Sequence, residues 1–208
     1  MDLGPLADSL LSQLEEKNRA RELGLPLCRT SIRHAANSIR AIHRRESEEA
    51  MRLMAQAREC LDKAHEAMKG HPDIRHAGFF HDASKEYAEA MITFALVFGE
   101  DLPSHFDLSV EPAAYLNGMG EAIGEMRRHV LDLMRHGELG RAEELLAAMD
   151  DMYYLLTSID YPDAMTGGLR RTTDVARSII ERTRGDLSTT IIQKELQTAL
   201  ENSRRALD

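Results

Sequence analysis

Apolar residues recur along this chain at three- and four-residue steps, the period of helices that bury one face. Leu3, Leu10, Leu11 and Leu14 predict a short amphipathic helix that ends before Gly24 and Pro26. Residues 1–27 thereby stand apart as an accessory segment ahead of a helical domain at 28–208. From about Arg29 to Lys69 one face carries Ile32, Ala35, Ile39, Ile42, Leu53, Ala57, Leu61, Ala64 and Met68, with no internal Gly or Pro. A single helix of that length would be about 60 Å long, more than one compact domain covers, and implies a bundle of long helices or an assembly. Gly70-His71-Pro72 breaks the chain, and Pro72 suits the first turn of a helix running to Val97 or Phe98. Its stripe is Phe80, Ala83, Tyr87, Met91, Phe94 and Phe98.

Residues 99–110 form a connection, followed by a helix that starts between Ser109 and Pro112 and stops at Gly137. Leu139 to Ile159 is the next helix, with its methionines at core spacing rather than around a cofactor. After a connection through Asp160–Asp163 and Gly167-Gly168, a fifth helix ends at Gly185 and a sixth begins at an Asp186 cap. The fold class is all-α: a bundle of about six to seven helices with a long first helix.

Composition agrees with that class. The 208 residues are 43% hydrophobic, 29% charged and 5% aromatic, with no Trp. No apolar run approaches the ~20 residues that cross a bilayer, so no membrane partner is expected. The start lacks the basic and apolar regions of a signal peptide, and Cys28 and Cys60 make no disulfide framework. The expected location is the cytoplasm. A formal charge of −9 is unlike a dedicated duplex binder, yet the charge is uneven. Arg29, Arg33, Arg40, Arg44 and Arg45, with His34 and His43, occupy a stretch without a single acid. Arg33, Asn37, Arg40 and Arg44 share a face that is either solvated or a phosphate track. Arg75 and His76, near a helix start, suit a phosphate as well.

The candidate chemistry centres on acids. Glu86 and Glu89 lie three apart on one helix, and such like charges beside a core need compensation. A solvated acidic flank neutralised by Lys85 is one reading, and a divalent cation is the other. On the helix ending at Gly137, Gly118, Gly120 and Gly124 surround Glu121 and Glu125. Three glycines in two turns make sense where a helix or ligand approaches the backbone. Gly-rich phosphate loops, nucleophile elbows, Cys/His zinc patterns and Glu-x-x-His pairs are all missing, which leaves hard oxygen ligands and hence Mg²⁺ or Mn²⁺.

Glu86-Tyr87-Ala88-Glu89-Ala90 resembles the Glu-Tyr-x-Glu-Ala motif of the translin superfamily, and more closely the Trax-like branch than translin itself. Tyr115-Leu116-Asn117-Gly118, then Glu121 and Gly124-Glu125-Met126-Arg127, resembles the second family motif, in which the third acid is aspartate where this chain has Glu121. The likeness covers roughly residues 29–185. It implies an all-helical fold assembled into a hollow homo-octamer that cleaves single-stranded RNA with Mg²⁺. Carried over by position, the catalytic acids are Glu86, Glu89, Glu121 and Glu125, the first three holding the metal. Translin proper lacks the first of these acids, so Glu86 makes the chain look catalytic.

Arg33, Arg40, Arg44, Arg75 and His76 would then guide the nucleic acid backbone, while Lys85 and Arg128 would stabilise charge. A non-catalytic translin-type binder of single-stranded RNA or DNA is the first alternative. A second is a metal phosphohydrolase of the HD type, suggested by His81-Asp82, with His71 or His76 and Asp132 as further ligands.

Overall fold

The computed structural model describes residues 2–206, and within them every regular element is a helix. Six are long: α1 (Gly4–His43), α2 (Ser47–Ala67), α4 (Phe79–Phe98), α5 (Pro112–His136), α6 (Leu139–Ser158) and α8 (Leu169–Arg205). Two single turns, α3 (Pro72–Arg75) and α7 (Asp163–Thr166), sit in the connections. The core is one cluster centred on Ile42, Leu61, Ile92, Met119, Ile123, Met126, Leu145 and Met149.

The first long helix has the expected length and a different register. It spans Gly4–His43 and passes through Pro26, because Ala20, Gly24, Cys28 and Ser31 continue one buried face across the proline. Gly24 admits Met68, whose Sδ would lie 2.9 Å from any Cβ there. The continuous helix expected over 29–69 is interrupted at Arg44–Glu46. Arg45 takes the left-handed conformation (φ 63°), its N–H bonds Ile42 O, and the Glu46 N–H bonds Ala41 O. No glycine marks this stop; the Arg45 side chain instead donates to Val97 O at 3.0 Å. α2 then folds back along α1, where Ser31 Oγ donates to Ala57 O.

Two further boundaries differ from the sequence pattern. The helix from Pro72 is broken after one turn, with Gly78 at φ 93° admitting the start of α4. The predicted fifth and sixth helices are one, α8, running through Gly185. Arg127 bonds Thr183 and Asp186, and Arg184 bonds Asp150, so α8 is tied to α5 and α6 on both sides of that glycine. Gly137, in contrast, ends α5 in the left-handed region as expected.

The topology that matters for function is the parallel pairing of α4 and α5. The 99–111 connection runs back across α2, where Arg58 donates to Leu108 O, and Glu111 pairs with Arg75 ahead of α4. Both helices therefore start from the same end, and residues about 33 positions apart come side by side.

Candidate metal centre

Gly118 sets the distance between α4 and α5. A Cβ there would lie 2.6 Å from Lys85 O and 3.0 Å from both Ala88 Cβ and Glu89 N, so only glycine lets the backbones meet. Gly120 does the same toward α8, where a Cβ would collide with Thr172 Cγ2. Gly124 differs from the expectation: its nearest neighbour would be Ile179 Cδ1 at 3.8 Å, an ordinary contact. Asn117 locks the register, accepting from Thr172 Oγ1 at 2.8 Å and donating to Thr166 O at 2.7 Å.

One turn beyond Gly118, Glu121 faces Glu86 and Glu89. One carboxylate oxygen from each of the three lies within 4.8 Å of the others. Glu89 is buried at 8% exposure; Glu86 and Glu121 are half-buried. Burial, reinforced by the charges of Glu86, Glu121 and Glu125, pushes the Glu89 carboxyl up to about 8. Glu86 is raised as well, chiefly by burial. Lys85 offsets part of this repulsion: its Nζ donates to Glu121 Oε1 at 2.7 Å and lies 3.7 Å from Glu86 Oε1.

One ammonium against three converging carboxylates leaves excess negative charge on hard oxygen donors. That donor set fits Mg²⁺ or Mn²⁺ and not a thiophilic metal. Among the described residues no other group of three acid, His or Cys ligand atoms converges in this way.

Glu125 follows one turn further on and meets a residue the sequence reading had not singled out. His43 Nε2 donates to Glu125 Oε2 at 2.5 Å, and this bond holds the Glu125 carboxyl below its usual range. The His43 side chain is 4% exposed, and its Nδ1 has no partner. The available signal was an imidazole beside Ile39 and Ile42 on the buried stripe, at the end of an acid-free run. Next to it, His129 is buried with Nε2 unpartnered, and burial together with Arg45 and His43 pushes it down to about 4.

The basic candidates lie elsewhere. Arg33 and Arg40 are exposed on α1 and bond Thr30 and Asn37 of the same helix. Arg44 forms a two-pronged pair with Glu46, Arg75 pairs with Glu111 and lies over the Phe80 ring, and His76 is exposed. Arg128 is exposed and close enough to lower the Glu125 carboxyl. Lys85 and Arg128 thus border the acids; none of the hydrogen bonds made by Arg33, Arg40, Arg44 and Arg75 reaches them. His81 instead packs beside Gly167, and Asp82 is exposed, so the HD-type constellation is not assembled.

Comparison with known proteins places this geometry in context. No protein-family model matches the chain. An uncharacterised protein of Methanocaldococcus jannaschii is 30% identical over 193 residues, 92% of this chain and 85% of that protein. The structure of AfC3PO, from Archaeoglobus, in complex with duplex RNA superposes with a TM-score of 0.83 at 35% identity, over 90% of this chain and 97% of that one. AfC3PO alone gives 0.82 at 35% identity. The apo structure of NeC3PO, at 18% identity and a TM-score of 0.80, shares the fold over 91% of this chain and all of its own. C3PO is of the translin and Trax type.

Proposed function

This chain belongs to the translin superfamily and is Trax-like, and from that premise we propose that it is a Mg²⁺-dependent endoribonuclease acting on single-stranded RNA. The observation that carries the reading is the convergence of Glu86, Glu89 and Glu121 within 4.8 Å across two parallel helices. The AfC3PO complex with duplex RNA supports RNA as the ligand class. Assembly of this chain into a hollow homo-octamer, as the family resemblance implies, would enclose the acids in a lumen.

Glu86, Glu89 and Glu121 would hold the cation, which when bound would supply Lewis acidity toward a phosphodiester and lower the pKa of an attacking water. Glu125, fixed by His43, would orient a ligand or the water. Lys85, already on Glu121, and Arg128 at the rim face the charge that develops on the phosphoryl group. Arg33, Arg40, Arg44, Arg75 and His76 attract the phosphate backbone, which gives affinity without sequence preference and a steep salt dependence. With aromatics at 5%, base stacking contributes little.

The deciding experiment is Glu89→Gln, assayed on single-stranded and duplex RNA oligonucleotides with Mg²⁺ and with EDTA. Wild-type protein should cleave the single strand only with Mg²⁺, and the variant should lose at least about 100-fold. Unchanged cleavage by a folded variant removes the acids from the mechanism. Binding by wild-type protein without any metal-dependent cleavage would select the non-catalytic binder.

A further inference from the structure

Gly124 has no packing duty. Gly118 and Gly120 admit neighbouring helices, but a Cβ at 124 would meet only Ile179 Cδ1 at 3.8 Å. Glycine inside a helix costs about 1 kcal/mol relative to Ala, so packing alone does not account for it. What Gly124 does supply is a bare floor. It lines a groove of about 530 Å³ along α5, together with Arg127, Arg128, Arg135 and Asp132. At 100° per residue Glu121, Gly124, Arg128 and Arg135 fall within an arc of about 60°, so this groove continues the face that carries Glu121. The Glu125 carboxyl, lowered first by its His43 bond, feels Arg128 as well, which ties the groove to the acids.

α8 widens the same surface. It runs beside α5 in the same direction, with Thr172 against Gly120 and Thr183 bonded to Arg127. A second groove, of about 410 Å³, lies between the two helices; it shares Arg127 and adds Arg171, Arg182 and Asp174. Arg171, Val175, Ser178 and Arg182 again fall within an arc of about 60°. At 1.5 Å per residue, Arg171 and Arg182 stand about 16 Å apart along the helix.

Five arginines and two acids therefore line the joined grooves, in a chain of net −9. Asp186 holds Arg127 and Asp132 holds Arg135. Arg128, Arg171 and Arg182 are exposed and make no ion pair among the described residues. On α1, by contrast, Arg33 and Arg40 bond within their own helix and Arg44 is paired with Glu46.

We infer that the α5–α8 groove is the bed for the RNA strand beside the acids, with Arg128, Arg171 and Arg182 as its phosphate ligands. This rests on the reading of the acids as an RNA-cleaving centre and supplies the contacts that present a strand to it. Guanidinium groups spread along about 16 Å suit the repeating charge of a polynucleotide rather than one small anion. No aromatic side chain lines either groove, so the backbone is held and the bases are not read. Gly124 leaves room for that backbone where the strand passes from Glu121 toward the arginines.

The test is binding of a labelled single-stranded RNA oligonucleotide, by fluorescence anisotropy in EDTA, to wild type, Arg171→Ala/Arg182→Ala and Arg170→Ala/Arg177→Ala. The last pair removes the same charge from α8 about 100° further round the helix, away from α5. Arg171→Ala/Arg182→Ala should lose at least about 10-fold in affinity, and its slope of log K against log salt should fall by about 1.4. The control pair should bind within about twofold of wild type, with its slope unchanged. In wild-type protein, RNA should also shield Arg182 but not Arg177 from an arginine-directed dicarbonyl reagent, read by peptide mass spectrometry. Wild-type affinity in Arg171→Ala/Arg182→Ala, equal losses in the two pairs, or equal labelling of Arg182 with and without RNA overturns the groove. Metal-dependent cleavage by wild type would survive that result, whereas groove binding without any cleavage would sink the nuclease reading and leave the groove standing.

Discussion

The side chain that organises the acidic cluster from outside is His43. It is buried, it belongs to a different helix from the acids, and its one hydrogen bond fixes Glu125. Partners of this kind typically change activity 10- to 100-fold. His43→Ala should therefore lower Mg²⁺-dependent turnover by roughly that factor while KM moves little, and His43→Gln, which can still donate, should recover part of it. Steady-state kinetics on a labelled oligonucleotide check this.

His129 gives a pH expectation. Its native pKa of about 4 lies below the ordinary 6.5, because burial and the nearby Arg45 and His43 disfavour the imidazolium. Between those values the unfolded chain binds more protons than the native one, so stability is fully present above pH ~6.5 and is lost as pH falls toward 4. Urea melts across that window should show the decline, and His129→Leu should flatten it.

Legibility at this scale divided by the kind of signal. Glu86 and Glu89 are visible as acids on the flank of an apolar stripe, Glu121 as an acid among the glycines of its helix, and all three through the family motifs. His43 was not, because one imidazole on a stripe carries no sign of which carboxylate it will meet 82 positions away.

At the scale of elements, glycines separate helix ends from helix contacts. Gly118→Ala puts a Cβ against the Lys85 carbonyl, where backbone must move. It should cost about 1–3 kcal/mol and depress activity by widening the α4–α5 gap. Gly124→Ala meets only ordinary contact and Gly185→Ala meets nothing within 4 Å. Each should stabilise by up to about 1 kcal/mol through helix propensity. Thermal melts of the three variants order them.

Helix existence and the stop at Gly137 followed from periodicity and αL chemistry. The breaks did not, for definite reasons. Arg45 adopts a glycine-like backbone held by its bond to Val97 O, and a lone interior glycine at 185 is overridden by the ion pairs around it. Gly24 and Pro26 predict a stop, whereas packing against the end of α2 carries the helix across them.

At the scale of the molecule, the parallel course of α4 and α5 is what turns two separated acidic motifs into one centre. That course depends on the 99–111 crossing and could not be inferred from either helix alone. None of the described helices is long and apolar enough to cross a membrane. Calorimetric titration of the metal-free protein with Mn²⁺ tests the centre most directly, in wild type and in Glu89→Gln. The account predicts one saturable site per chain in the wild type that disappears in the folded variant. Equal stoichiometry and affinity in the two proteins would contradict it.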